Sequence, residues 1–541
     1  MALSDRLFWR PLAAGLRPLA SGLRRVGFIP SNPWAAAARA TQGHLKAGSL
    51  SDRLTKSWVS TPVPIDEVIR QGLQSTRARA REQALNNDYD SRFDAMVRSN
   101  VVGPYGIRPQ VKVKTADGEL DRLLNSAVER AWQEWSRPEN CDVTGKDSLV
   151  GLQGLWISTV RKDGESIVRY YEGRTAGRFG FQIQLQDPEL LDVKFSHDTP
   201  RIRFGVELDE RDKPLAYHFL DQKVTDTPYI SGYGYSAATG RDHIRVPAEL
   251  IRHGFIRKHV GQKRGLPWSA TALPRMKMLE GYEEAAVVNA RVGASKMGFF
   301  KSEDGRGLPA QTTSSGAKRI AAEPGTFDDL PANTSLETWN PTYPHEQYPY
   351  FVKSQLRGIA SGLNVSYNVL ANDLEGVNFS SIRTAILEDR DIWRGLQCFT
   401  IDQFLRPTFE RWLLLALVTG QVVDESGGVV SVAEYDRIKM ATTFQTRGWP
   451  WVDPFKDAKA ATESITNGTG TISEYIREKG RDPNEVFEEQ EDEQNARREK
   501  GLVVEEEESS EDDVTTINGI PDRVVDEIVE RVLDDIREGQ T

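Results

Sequence analysis

Cysteine is scarce: Cys141 and Cys398 are the two in 541 residues, far apart and in no motif. That excludes a disulfide framework and a cysteine-built metal centre, and it fits buried free thiols in a reducing compartment. Long apolar runs are also missing. The longest, 412–418, reads Trp-Leu-Leu-Leu-Ala-Leu-Val, far short of the ~20 residues that span a bilayer. No membrane association is expected. Nor is there a basic excess, since the formal net charge is −10. Tight DNA binders neutralise phosphates with many Lys and Arg, so any contact with DNA should be loose.

Signatures of chemistry are absent too. There is no phosphate-cradling G-x-x-x-x-G-K-[ST], no H-E-x-x-H and no G-x-S-x-G. Gly232-Tyr-Gly234 is too short for a dinucleotide fingerprint. His243, His253 and His259 are spaced by ten and six, which suits no ligand pair on a helix or strand, so structural or surface roles are expected. With 79 acids in the chain, no carboxylate pair stands out as a metal site. The sequence points to no enzyme, metal or cofactor.

What the chain does have is length and an uneven charge distribution. Its size suits several domains. Residues 1–50 hold seven Lys or Arg against one acid, Asp5, and read as a basic arm. Residues 485–513 hold fourteen acids against three bases, a net of −11 that leaves the remainder at +1. Such a run repels itself and predicts disorder. Beyond it, 521–538 reads as an amphipathic helix, with Val524, Val525, Ile528, Val529, Val532, Leu533 and Ile536 on one side.

Between these ends the fold class reads as α+β. Helical spacing covers 77–99, stopped at Gly103-Pro104, and 121–135, with Leu123, Leu124, Val128, Ala131, Trp132 and Trp135 near helical spacing. From about 150 to 255 the period shortens, with strands at 166–171, 181–186, 202–208 and 216–220 and a polar connection at 209–214. A long helix over 269–297 follows, ~40 Å at the usual rise, with Pro274 tolerated in its first turns. Residues 298–344 are irregular, and another helix covers 346–363. A loop then joins two helices: Asn372, Asp373, Leu374, Glu375, Gly376, Val377, Asn378 and Phe379. A plain surface turn explains it as readily as a functional one. The next helix should start on a Ser380 or Ser381 cap and run, broken at Pro407, to Gly420. Arg245, Arg252, Arg257, Lys258, Lys263 and Arg264 form a basic cluster before the long helix, expected to be solvated or to pair between subunits.

Several short motifs recur in a familiar order. They are Arg77-Ala-Arg-Ala-Arg81 with Asn86-Asn87, Ser99-Asn-Val-Val-Gly103, Leu152-Gln-Gly-Leu155, and Asp163-Gly-Glu165. Gln184-Leu-Gln-Asp187, Gly205-Val-Glu-Leu-Asp209, Pro214-Leu-Ala-Tyr217 and Val246-Pro-Ala248 follow. Gly261-Gln-Lys-Arg-Gly-Leu-Pro267, Leu356-Arg-Gly-Ile-Ala360, Val365-Ser-Tyr367 and Asn378-Phe-Ser-Ser-Ile-Arg383 complete the set. In order and spacing, from about Arg77 to Gly420, the chain resembles the lambda family of phage portal proteins. It departs from the family pattern at 102–107, 331–335, Phe379 and Ile382.

The resemblance implies a closed homo-oligomeric ring, usually dodecameric, at the capsid's portal vertex, through which double-stranded DNA is packaged and ejected. It implies a strand-rich wing (51–268), stem helices (269–297 and 346–363) flanking a clip (298–345), and a DNA-facing tunnel loop (364–379). A long helix would return to the wing (380–420), followed by a helical crown (421–484) and the acidic tail (485–541). Implied partners are capsid and scaffold proteins, the large terminase subunit, which would hydrolyse the ATP, and head-completion or adaptor proteins. Assembly would take place in the host cytoplasm, and the finished ring would lie in the virion. On that reading Asp373 and Glu375 repel the passing phosphates, while Asn378 makes brief hydrogen bonds. The alternatives are a metal-dependent nuclease and a scaffolding or tail-hub protein.

Overall fold

The structure, a computed structural model, describes residues 62–220, 243–295, 299–302, 311–312, 318–319, 334–337, 346–449, 454–478, 483–500, 516–517 and 520–521. The expected basic arm (1–50) and the terminal helix beyond Pro521 lie outside these residues. The chain divides into two units, 1–447 and 448–541.

The first unit opens on two helices where the sequence pattern predicts one. α1 (Ile65–Asn86) and α2 (Asp88–Val101) are separated by Asn87, whose backbone is extended. Its side-chain oxygen accepts from the N–H groups of Tyr89 and Asp90 at 3.0 and 3.2 Å. An asparagine that satisfies first-turn donors restarts a helix in a new direction, and the apolar periodicity does not register that change. β1 (Arg108–Val111) leads to α3 (Arg122–Trp135), capped by Asp121, whose side chain accepts from the Leu124 N–H.

α4 (Leu149–Asp163) is a helix at the start of the region expected to be strands. Ser148 caps its first turn and Gly164, at φ 88°, ends it. Three strands then form one antiparallel sheet in the order β3-β2-β8: β2 (Glu165–Glu172), β3 (Phe181–Gln186) and β8 (Ile251–Phe255). A second sheet runs β4 (Ile202–Arg203), β5 (Val206–Leu208), β6 (Pro214–Leu220) and β7 (His243–Pro247). The single strand expected at 202–208 is thus a tight hairpin. Phe204 and Gly205 both take positive φ and turn Arg203 onto Val206, the geometry a two-residue hairpin loop requires. Ile167, Leu191, Val206, Tyr217, Phe219 and Ile251 join the two sheets in one apolar core.

After a 3-10 turn (Trp268–Thr271), α5 (Leu273–Ser295) carries Pro274 as its second residue. Its 23 residues span about 35 Å. β9 (Phe299–Ser302) pairs with β10 (Thr334–Glu337), and 311–312 pairs with 318–319. α6 (Tyr348–Leu363) and the short α7 (Tyr367–Ala371) precede α8 (Phe379–Thr400). No break occurs at Pro407. A π-turn (Ile401–Leu405) carries α8 into α9 (Arg406–Val418). The wider turn just before the proline accommodates a ring that has no N–H to give and would crowd an ordinary helical carbonyl.

α9 returns to the first helices through an aromatic core. Trp412 lies 4.9 Å from Trp132 and 6.0 Å from Trp135, and Trp135 stacks on Phe181 at 5.6 Å. Trp156 stacks on Phe404 of the π-turn. α10 (Tyr435–Met440) leads to β11 (Thr442–Gln445), which pairs with β1.

The second unit holds α11 (Pro454–Thr466), α12 (Ile472–Glu478) and α13 (Pro483–Glu499). α13 corrects the expectation of disorder over 485–499. Acids at its start and Arg497 and Arg498 in its last turn suit the helix dipole, and Glu493 pairs with Arg497 at 2.8 Å.

Candidate functional site

Many of the short motifs meet in one buried polar joint. Arg77 and Arg81, four residues apart on α1, share a helix face. The guanidinium of Arg77, fully buried, donates to the Asp163 carbonyl (3.0 Å), to Glu189 (2.6 Å) and to Glu165 (2.8 Å). Arg81 donates to Asp163 and Asp187. Arg264, also fully buried, grips both oxygens of Glu165 at 2.5–3.0 Å and caps the carbonyls of Leu191 and Phe204. The second Glu165 oxygen also accepts from Gly265 N–H at 2.8 Å and lies 2.9 Å from His253 Nε2. Burial opposes the Glu165 charge, but Arg264, His253 and Arg77 outweigh it and hold the carboxyl well below its usual range.

The glycines of these motifs mark a close crossing. A Cβ on Gly265 would sit 2.0 Å from the Gly164 carbonyl oxygen, and one on Gly164 would meet the Leu266 backbone at 2.3 Å. The 163–165 and 262–267 segments therefore lock together immediately before α5.

The structure corrects the expectation for part of the basic cluster. Arg264 is internal, Arg245 pairs with Glu207 at 2.8 Å, Lys263 pairs with Asp66 at 2.8 Å, and Arg252 lies over the Tyr170 ring. Arg257 and Lys258 are exposed. Of the three histidines, His243 stacks on Phe195, His253 sits in the joint, and His259 is exposed. Cys141 is buried as expected, its thiol pushed up to about 12 by that burial, whereas Cys398, expected to be buried as well, is exposed. Among the described residues no three His, Cys, Asp or Glu side chains are placed to hold a metal, and no helix is long and apolar enough to cross a membrane.

From the joint, α5 runs beside α6. Tyr282 stacks on Tyr348 (5.7 Å) and contacts Phe351 (4.8 Å), while Thr271 Oγ1 donates to the Gly362 carbonyl. A Cβ on Gly362 would come within 3.2 Å of Ala272 Cβ, so the helices cross closely there. Asn364, at φ 58°, ends α6, and Ser366 hydrogen-bonds Asp389 of α8 through both its N–H (3.0 Å) and its hydroxyl (2.6 Å).

The loop picked out from the sequence follows α7. Asn372, exposed and at φ 53°, ends that helix. Asp373 is half-buried: one oxygen takes the Tyr367 hydroxyl (2.6 Å) and Lys353 Nζ (2.8 Å), and the other takes the Glu375 N–H (3.1 Å). Lys353, Tyr367 and that N–H bring the Asp373 carboxyl down to about 2. Burial and then Asp373 push the Tyr367 hydroxyl up to about 12. Arg357 also lies over the Tyr367 ring, 5.5 Å from its centroid.

Leu374 is 63% exposed and forms the apex with Glu375 and Gly376, the latter at φ 66°. Val377 is half-buried and Asn378 exposed. α8 begins at Phe379, and Ile382 N–H donates to the Asn378 carbonyl, so Ser380 and Ser381 lie within the first turn and not at the position that precedes it. Sequence reasoning missed Lys353, Tyr367 and Asp389, which fix the loop from other elements; lone polar residues on helices carry no local signal of that role. The two loop acids are also unlike: Asp373 is locally neutralised, and Glu375 has no ion-pair partner among the described residues.

Comparison with known proteins bears on this arrangement. The profile of the phage portal proteins of the lambda family matches residues 51–397. The chain is 33% identical over 445 residues to the "Probable portal protein" of Halomonas phage phiHAP-1, covering 80% of this chain and 83% of that one. It is 24% identical over 490 residues to "Portal protein B" of Escherichia phage lambda, covering 83% and 88%. A solved chain from the neck of an empty GTA particle aligns with 80% of this chain and all of that one at 12% identity, with a TM-score of 0.41. The match spans the joint, both long helices and the loop, and on it this chain belongs to the lambda family of phage portal proteins.

Proposed function

We propose that copies of this chain close into a ring, expected to be dodecameric, at the capsid's portal vertex. Residues 372–379 would face the channel through which double-stranded DNA is packaged and ejected. Joint and sheets would make the wing, α5 and α6 the stem, 298–345 the clip that docks the large terminase subunit, and 421–484 the crown. Capsid or scaffold proteins would meet the ring during assembly in the host cytoplasm, and head-completion or adaptor proteins would meet it in the virion.

The observation that carries the reading is a loop with an exposed, cation-free apex set between two long helices, in a chain that matches the portal family over most of its length. A conduit has to touch a polyanion without holding it. Counterion release makes each added cation at such a surface strengthen DNA binding, and 372–379 contains none. Negative-stain microscopy of the purified protein tests the proposal. We expect rings with an axial hole; a monomer that cuts DNA with Mg²⁺ or Mn²⁺ would overturn it.

A further inference from the structure

We propose that Lys353, Tyr367 and Asp373 form a latch that makes the loop's apex follow α6, with Lys353 as its positioning residue. The proposal rests on the reading of 372–379 as channel-facing.

The loop's covalent ends give little control over its height. On one side it hangs from α7, a helix of five residues; on the other it enters α8 at Phe379. Both Asn372 and Gly376 sit in the left-handed region of backbone space, so the chain turns sharply twice within five residues. What fixes the turn is Asp373. Its N–H donates to the Asn368 carbonyl at 3.1 Å, one oxygen orders the Glu375 N–H, and the other reaches across to Lys353 on α6 and Tyr367 on α7. Three elements thus converge on one carboxylate. Lys353 is the only one of the side-chain donors that belongs to the long helix, and its ammonium also lies 6.0 Å from the centre of the Tyr367 ring. A rise or tilt of α6 therefore carries Asp373, and with it Leu374 and Glu375, in the same direction.

The latch is built to be strong enough to order the loop and weak enough to open. The Lys353 side chain is 32% exposed and that of Asp373 21%, so water screens the pair, and exposed pairs of this kind hold loosely. That separates it from the joint at the root of α5, where the paired side chains are fully buried.

Hydrogen exchange of the full-length protein, read by mass spectrometry over 367–376, tests the latch. In K353E and in D373K the amides of this segment should exchange about fivefold faster, the size expected on losing a half-exposed ion pair. The swap K353D/D373K should return the rate to within about twofold of the wild type, as should K353R, while 149–172 stays unchanged throughout. Unchanged exchange in K353E and D373K, or a swap that remains fast, overturns the latch. DNA packaging by the same variants separates the two ideas: faster exchange with normal packaging keeps the latch and removes the channel role, whereas slowed packaging with unchanged exchange removes the latch.

Discussion

Glu165 shows how much one side chain can organise. Two guanidinium groups, an imidazole and a backbone N–H converge on it with no water access. Replacing one member of such a cluster leaves the others charged and unpaired, which costs about 3–5 kcal/mol. E165Q should therefore lower unfolding stability by about 3 kcal/mol, read as a drop in the midpoint of a urea transition. The pH dependence has a defined sign. The folded state holds this carboxyl well below its usual range, so its stabilisation is present above the unfolded value, about 4.3, and is lost as pH falls through the folded one. Acid unfolding should begin below about pH 4, and E165Q should flatten that limb of the curve.

Elements were legible where periodicity and burial agree. α3 has one apolar face and a capping Asp121, and β3 alternates cleanly, so both were readable from residue spacing. α4 was not. Leu149, Leu152, Trp156, Ile157 and Val160 are buried together with Gln153, Ser158 and Arg161, so the helix has no polar stripe to betray its period. The joint was invisible for a different reason. Its paired side chains are separated by 82–112 residues, and no local pattern couples Asp163-Gly-Glu165 to Arg264-Gly265. The loop itself could be located from its composition, but Lys353 as its support could not. Asn87 is a case where the residue type held a signal that the apolar pattern overrode. N87A should cost about 1 kcal/mol through the lost cap, seen as a lower melting temperature, because Ala cannot accept from Tyr89 and Asp90.

For the assembled ring, the charge that matters is local, not the −10 of the whole chain. If 372–379 lines the channel, Glu375 is the acid that DNA meets. E375K in every copy should slow packaging severalfold while rings still form, since each added cation near phosphate raises affinity and does so more at low salt. Packaging measured at two ionic strengths checks this: a normal rate at both would place the loop away from DNA. D373K is a different experiment, because it removes the contact with Lys353 as well as reversing a charge.

The crossing of 163–165 with 262–267 also has a mechanical meaning. α5 cannot pivot at its root without prising backbone from backbone at Gly164 and Gly265 and pulling buried ions apart. Under axial load the long helix then behaves as a strut with a clamped base. Compliance is pushed to the stretch from Leu363 to Phe379, where half-exposed contacts can give way and re-form at small cost.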